Sequence, residues 1–116
     1  MYQCRVSQSL REPTFLILVA LADEERHGYA IIKEVEKLSG GRLVLGPGTL
    51  YGALDRLTDQ GLIEPTRKET VDGRIRRYYA ITGNGLQTVR REAVQRSEVL
   101  RAATARLGWN PRGALA

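Results

Sequence analysis

The sequence predicts a mainly α chain with one small β hairpin and one long helix near its C-terminal end. Three observations carry that reading. Apolar residues recur at helical spacing in three segments before residue 60. Two β-type runs then flank an Asp-Gly pair, and after Thr82 a series of apolar residues returns every seventh position. The 116 residues suit one compact domain, 42% hydrophobic and 27% charged. Only 6% are aromatic, so the core must be mostly aliphatic. A core this small gains stability from a partner subunit.

Residues 1–12 are polar and mixed, and a loose arm is expected there. Pro13 suits the first position of a helix, and Phe15, Leu16, Ile17, Leu18, Val19, Ala20 and Leu21 follow without a polar break. A helix apolar on nearly every side is normally the buried one. Asp23-Glu24-Glu25-Arg26 forms the surface turn after it. A second helix starts near Gly28, with Ile31, Ile32, Val35 and Leu38 on one side and Lys33, Glu34, Glu36 and Lys37 on the wet side. His27 stands where a residue capping that helix would stand. Gly40-Gly41 stops the helix, and Leu43, Val44 and Leu45 read as a short edge strand.

Gly46-Pro47-Gly48 opens a third helix. Its core stripe is Leu50, Leu54 and Leu57; Gly48, Gly52, Asp55, Arg56 and Asp59 fall opposite, and Gly61 ends it. Between Leu62 and Ile81 the pattern changes to two strands around Val71-Asp72-Gly73-Arg74, whose Asp-Gly pair favours a tight hairpin. Pro65 cannot donate to a ladder, which puts the first strand at an edge. Thr82 is the expected N-cap of the last helix. There Leu86, Ala93, Leu100 and Leu107 are spaced by seven, with Val89 and Ala103 beside them, and the seam is interrupted at Arg96 and Ser97. This seam, with Trp109 as a terminal anchor, is the candidate dimer interface.

Three helices followed by a two-stranded ribbon is the winged helix-turn-helix order, in which the third helix enters the major groove of DNA. The formal charge is +5, and most of the basic residues are arginine, whose planar fork suits phosphates and guanine edges. On the exposed face of the third helix, Gly48 and Gly52 would let backbone approach base edges, flanked by Thr49, Tyr51 and Arg56. Around the hairpin turn stand Arg67, Lys68, Arg74, Arg76 and Arg77 against Glu69 and Asp72, a basic tip suited to a phosphate backbone or the minor groove. Arg76 and Arg77 alternate in the strand, so one points to each face, and one of the pair is available for an internal salt bridge.

The stretches His27-Gly28-Tyr29, Pro47 to Leu57, Gly61-Leu62-Ile63 and Arg76 to Thr82 together resemble the PadR family of transcription regulators, over about Glu12 to Gly85. That resemblance implies a winged-helix homodimer, usually a repressor, joined through its C-terminal helix. It marks Tyr29, Thr49 and Tyr51 as DNA-contact candidates. The single helix after the wing resembles the smaller branch of the family, which includes repressors whose dimer interface holds flat, hydrophobic drugs. The organisation expected is an arm at 1–12, a winged unit at 13–82, a dimerisation helix at 83–107 and a tail at 108–116. The partners expected are double-stranded DNA carrying an inverted repeat, a second copy of the chain and a hydrophobic small-molecule effector.

Other classes fit less well. Cys4 and His27 are the only cysteine and histidine, too few for an intrachain disulfide or a four-ligand metal site. Phosphate-cradling loops are lacking, and His27 has no evident nucleophile or orienting acid, so neither enzyme activity nor a cofactor is expected. The longest apolar run, Phe15 to Ala22, is too short to span a bilayer and no cleavable leader precedes it, which predicts a cytoplasmic protein. The alternative within the same fold is a winged-helix module that binds proteins instead of DNA. Such a module would not need the arginine cluster.

Overall fold

The computed structural model describes residues 10–108, so Cys4, most of the arm and the tail with Trp109 lie outside the described residues. In chain order the elements are α1 (Glu12–Leu21), β1 (Arg26–His27), α2 (Gly28–Leu38), α3 (Pro47–Asp59), β2 (Ile63–Val71), β3 (Arg74–Ile81) and α4 (Gly83–Leu107). This is the winged helix-turn-helix with one long C-terminal helix.

Helix α1 carries Pro13 in its first turn, where a missing N–H costs nothing. Its Ile17, Leu18 and Leu21 meet Ile31 and Val35 of α2 and Leu50, Leu54 and Leu57 of α3, all at most 2% exposed. Full burial of each such side chain is worth about 1.5–3 kcal/mol, so this aliphatic wedge fixes the three helices. At the end of α3, Gly61 takes a φ of 75°, which aligns its N–H with the Thr58 carbonyl and the next N–H with that of Leu57. This closing motif turns the chain sharply into β2.

The sheet has three strands, in the order β1-β3-β2, all antiparallel. Asp72 (φ 51°) and Gly73 (φ 76°) both lie in the left-handed region, as a type I′ hairpin turn requires. β2, with Pro65, is an edge strand, as expected. The expected strand at Leu43–Leu45 does not form. β3 has two edges, and β2 and the two-residue β1 occupy both. The 43–45 segment is instead the loop that carries the chain to α3, with Leu45 seated in the core and Val44 64% exposed.

α4 begins at Thr82, whose hydroxyl accepts from the Gly85 N–H at 3.0 Å. A side chain at Gly85 would collide with the Leu62 carbonyl, so the helix start lies directly on the α3–β2 junction. The seven-residue series of α4 does not run as one free surface. Val89 is 6% exposed and belongs to the chain's own core, which removes it from the expected dimer seam. Leu86 is half-buried, whereas Ala93 is exposed. The interruption at Arg96 is an internal clamp. Glu92, 5% exposed, accepts the Leu10 N–H at 3.1 Å, while Arg96 donates to the Leu10 carbonyl and to Glu92, both at 2.6 Å. The Arg96 guanidinium also lies 4.0 Å from the centroid of the Phe15 ring. Beyond the clamp, Val99, Leu100 and Leu107 are 53% to 70% exposed, with Ala103 half-buried.

Candidate nucleic-acid interface

The N-terminus of α2, the exposed face of α3 and the distal half of β3 surround one cleft of about 590 Å³. Tyr29, Tyr51, Arg74, Arg76 and Arg77, all singled out from the sequence, line it together with Ile75. Three separate stretches of sequence thus converge on one opening.

Each side chain has a local reason for its place. His27 caps α2, its Nδ1 accepting the Ala30 N–H at 3.3 Å. Burial, and then the charge of Arg76, hold the imidazole below its ordinary pKa, which keeps it neutral and able to accept. Its ring meets Tyr78 edge-on, with centroids 5.3 Å apart. Gly28 is buried against the Tyr51 side chain, and a Cβ there would collide with the Tyr51 hydroxyl. The absent side chain is therefore what lets Tyr51 lie across the start of α2. Tyr29 follows, 62% exposed, with Lys33 one helical turn on and 5.6 Å from its ring centroid. The His-Gly-Tyr stretch thus divides into a cap, a gap and an exposed ring.

On α3, Thr49, Tyr51, Asp55 and Arg56 are exposed, and the space beside Gly48 is open. A Cβ at Gly52 would lie 3.7 Å from Arg56 Nη1, an ordinary contact, so Gly52 leaves a shallow bare patch between Arg56 and the preceding turn. Among the described residues, Arg56 makes no ion pair with Asp55 or Asp59.

On the wing, Ile75, Arg77 and Tyr79 alternate with Arg74, Arg76 and Tyr78, and Arg77 lies with Tyr51, Asp55, Ile75 and Tyr79 in a second hollow of about 400 Å³. Burial pushes the Tyr79 phenol up, so it stays neutral beneath the arginines. Among the described residues neither Arg76 nor Arg77 pairs with a carboxylate; the internally paired cation is Arg67, 2.6 Å from Glu25. Lys68 stands opposite Arg77 across the ladder. The cleft therefore gathers five of the eleven candidates, while Arg67 is drawn to Glu25 at the wing stem. Sequence reasoning missed Ile75, 66% exposed at the wing, because its alternation signal is that of any strand residue. It also missed the Gly28–Tyr51 contact, which joins different helices and leaves no local signature.

No helix among the described residues is long and apolar enough to cross a membrane. Residues 17–91 match the family model described as the transcriptional regulator PadR-like family. The transcriptional regulator YqjI of Escherichia coli is 37% identical over 76 residues, 66% of this chain and 35% of that protein. A PadR-like transcriptional regulator from Bacillus cereus superposes with a TM-score of 0.68 at 26% identity, covering 84% of this chain and 92% of that one. PadR of Bacillus subtilis, solved in complex with operator DNA, superposes with a TM-score of 0.61 at 26% identity, covering 69% and 45%. The chain spans 21% to 64% of the lengths of the curated relatives it matches.

Proposed function

The chain belongs to the PadR-like family of transcriptional regulators, and on that premise we propose that it binds operator DNA as a homodimer and represses transcription from the cytoplasm. The observation that carries this reading is the shared cleft, where Tyr29 and Tyr51 meet Arg74, Arg76 and Arg77. A recognition helix in the major groove presents its N-terminal turns to base edges, which makes Gly48, Thr49, Tyr51, Gly52 and Arg56 the base-facing group. Arg74, Arg76 and Arg77 with Lys68 then supply phosphate contacts, which give affinity with little sequence information. The operator complex of the Bacillus subtilis relative supports the same use of the fold.

Two copies of the recognition helix, about one helical turn apart along DNA, would read an inverted repeat. The dimer contact is the apolar stripe of α4, with Leu100, Ala103 and Leu107 beyond the clamp at its centre and Leu86 and Ala93 nearer the wing at its margin; Trp109, outside the described residues, is the expected anchor that follows in sequence. A stripe about 100° wide, uncovered among the described residues, suits a second helix of the same kind. A flat hydrophobic effector seated between the copies would alter the spacing of the recognition helices and release the operator, a coupling between two sites.

Fluorescence anisotropy with DNA from upstream of the protein's own gene tests the reading. The expected result is binding that weakens steeply with salt, at a stoichiometry of two chains per site. A folded dimer with no salt-sensitive affinity for any such fragment would refute it, and would turn attention to a protein partner for the wing.

A further inference from the structure

The wing is fastened to the helical core at a defect in its own ladder. Pro65 pairs with Tyr79, but Lys68 pairs with Arg77, so β2 carries an extra residue between them. In a regular strand Thr66 and Arg67 would point to opposite faces. Here both reach one carboxylate: the Thr66 hydroxyl donates to Glu25 Oε1 and Arg67 Nε to Glu25 Oε2, each at 2.6 Å. The Arg67 guanidinium lies 3.7 Å from the centroid of the Tyr78 ring, and the Tyr78 hydroxyl donates to Glu69 at 2.9 Å. Glu25 sits in the turn after α1. Its neighbour Arg26 is itself anchored, donating to the Ala20 carbonyl at 2.7 Å. Hydrogen bonds from Thr66 and Arg67 hold the Glu25 carboxyl below the usual carboxylate range, so it stays charged at neutral pH.

We propose that Arg67 is a positioning residue and not a phosphate contact: with Thr66 it grips Glu25, and this grip sets the angle at which the wing meets DNA. The proposal rests on the DNA-binding reading above. An exposed ion pair contributes little to overall stability, so the consequence lies in orientation. The sign of one substitution separates the two roles. Glu25→Ala removes a negative charge, which by simple electrostatics favours a polyanion, and of the two carboxylates beside Arg67 it leaves the looser one, Glu69 at 3.7 Å. If Arg67 were a phosphate contact, binding would tighten. If Glu25 and Arg67 act as a strut, binding weakens although the protein has become more positive.

The test measures operator affinity by anisotropy for the wild type, Glu25→Ala, Arg67→Ala and the double variant, with thermal unfolding as a control. The strut predicts that each single variant weakens binding by about fivefold or more, the low end of couplings between separate sites. The double variant should be no weaker than either single one, and the unfolding midpoint should stay near that of the wild type. Unchanged or tighter binding by Glu25→Ala, or additive losses in the double variant, would overturn it. Amide exchange of β2 and β3 in the DNA-free protein gives a second reading that survives failure of the DNA-binding proposal. Both single variants should speed exchange in the wing, and wild-type protection in both would also overturn the strut.

Discussion

Two parts of this chain project beyond the helical core, and their surfaces are opposites. The distal wing presents Arg74, Arg76 and Arg77 around a single exposed isoleucine, Ile75. The distal half of α4 presents Val99, Leu100 and Leu107 on the continuation of the face that, two to three turns earlier, is buried at Val89 and Glu92. Charge repels its own kind and attracts phosphate, whereas an apolar stripe at helical period gains most from a matching stripe. The two projections are thus suited to different partners, and the core between them keeps those partners apart.

The sharpest way to break the contrast is to charge the apolar arm. Leu100→Glu combined with Leu107→Glu should weaken self-association by about five orders of magnitude or more, since each buried leucine is worth about 2 kcal/mol and a symmetric contact counts it twice. Analytical ultracentrifugation would detect it, and because both side chains are exposed within one chain, the folded monomer should persist. A dimer of unchanged strength would mean that the stripe is not the contact.

Stripping the other arm is the next largest step. Arg74→Ala, Arg76→Ala and Arg77→Ala together should cost about a hundredfold in operator affinity and flatten the plot of log affinity against log salt by about 0.9 for each lost phosphate contact. Folding stability should move by no more than about 0.5 kcal/mol, because exposed side chains without tight partners contribute little. A loss of self-association in that variant would blur the division between the arms.

Smaller effects probe the cleft that joins wing to core. Gly28→Ala should push the exposed Tyr51 ring out of its place across α2, weakening operator affinity while a denaturant titration shows a stability change of no more than about 0.5 kcal/mol. Smallest is the His27 cap. The folded imidazole titrates below the ordinary value of 6.5, so as pH falls the unfolded chain takes up the proton first. The stability that depends on the imidazole staying neutral is complete above the ordinary value and is lost as pH drops through the folded one. His27→Asn, which caps without titrating, should remove that part of the acid dependence.

Much of the architecture was legible because it depends on short-range chemistry. Thr82 caps α4, Asp72-Gly73 makes the hairpin turn, Pro65 marks an edge strand and the leucines of α3 face the core, each as its local pattern implies. What escaped was set by contacts between distant segments. A two-residue strand at Arg26–His27 has no period to detect, and it took the sheet edge that Leu43–Leu45 was expected to fill. A heptad series cannot tell whether its partner is another chain or the same one, and Val89 proved to belong to the chain's own core. Arg67 reads as one more wing cation until Glu25, 42 residues earlier, is brought beside it.

The free edge of the sheet has one more consequence. β2 exposes unpaired backbone donors and acceptors along its outer side, which is where a stray strand from another molecule would add itself to begin an aggregate. Pro65 offers no N–H in this strand, the extra residue at Thr66–Arg67 breaks the straight run, and the charged Glu64, Lys68 and Glu69 deter a hydrophobic newcomer. The irregularity at Thr66–Arg67 therefore also disfavours the addition of a foreign strand at this edge of the sheet.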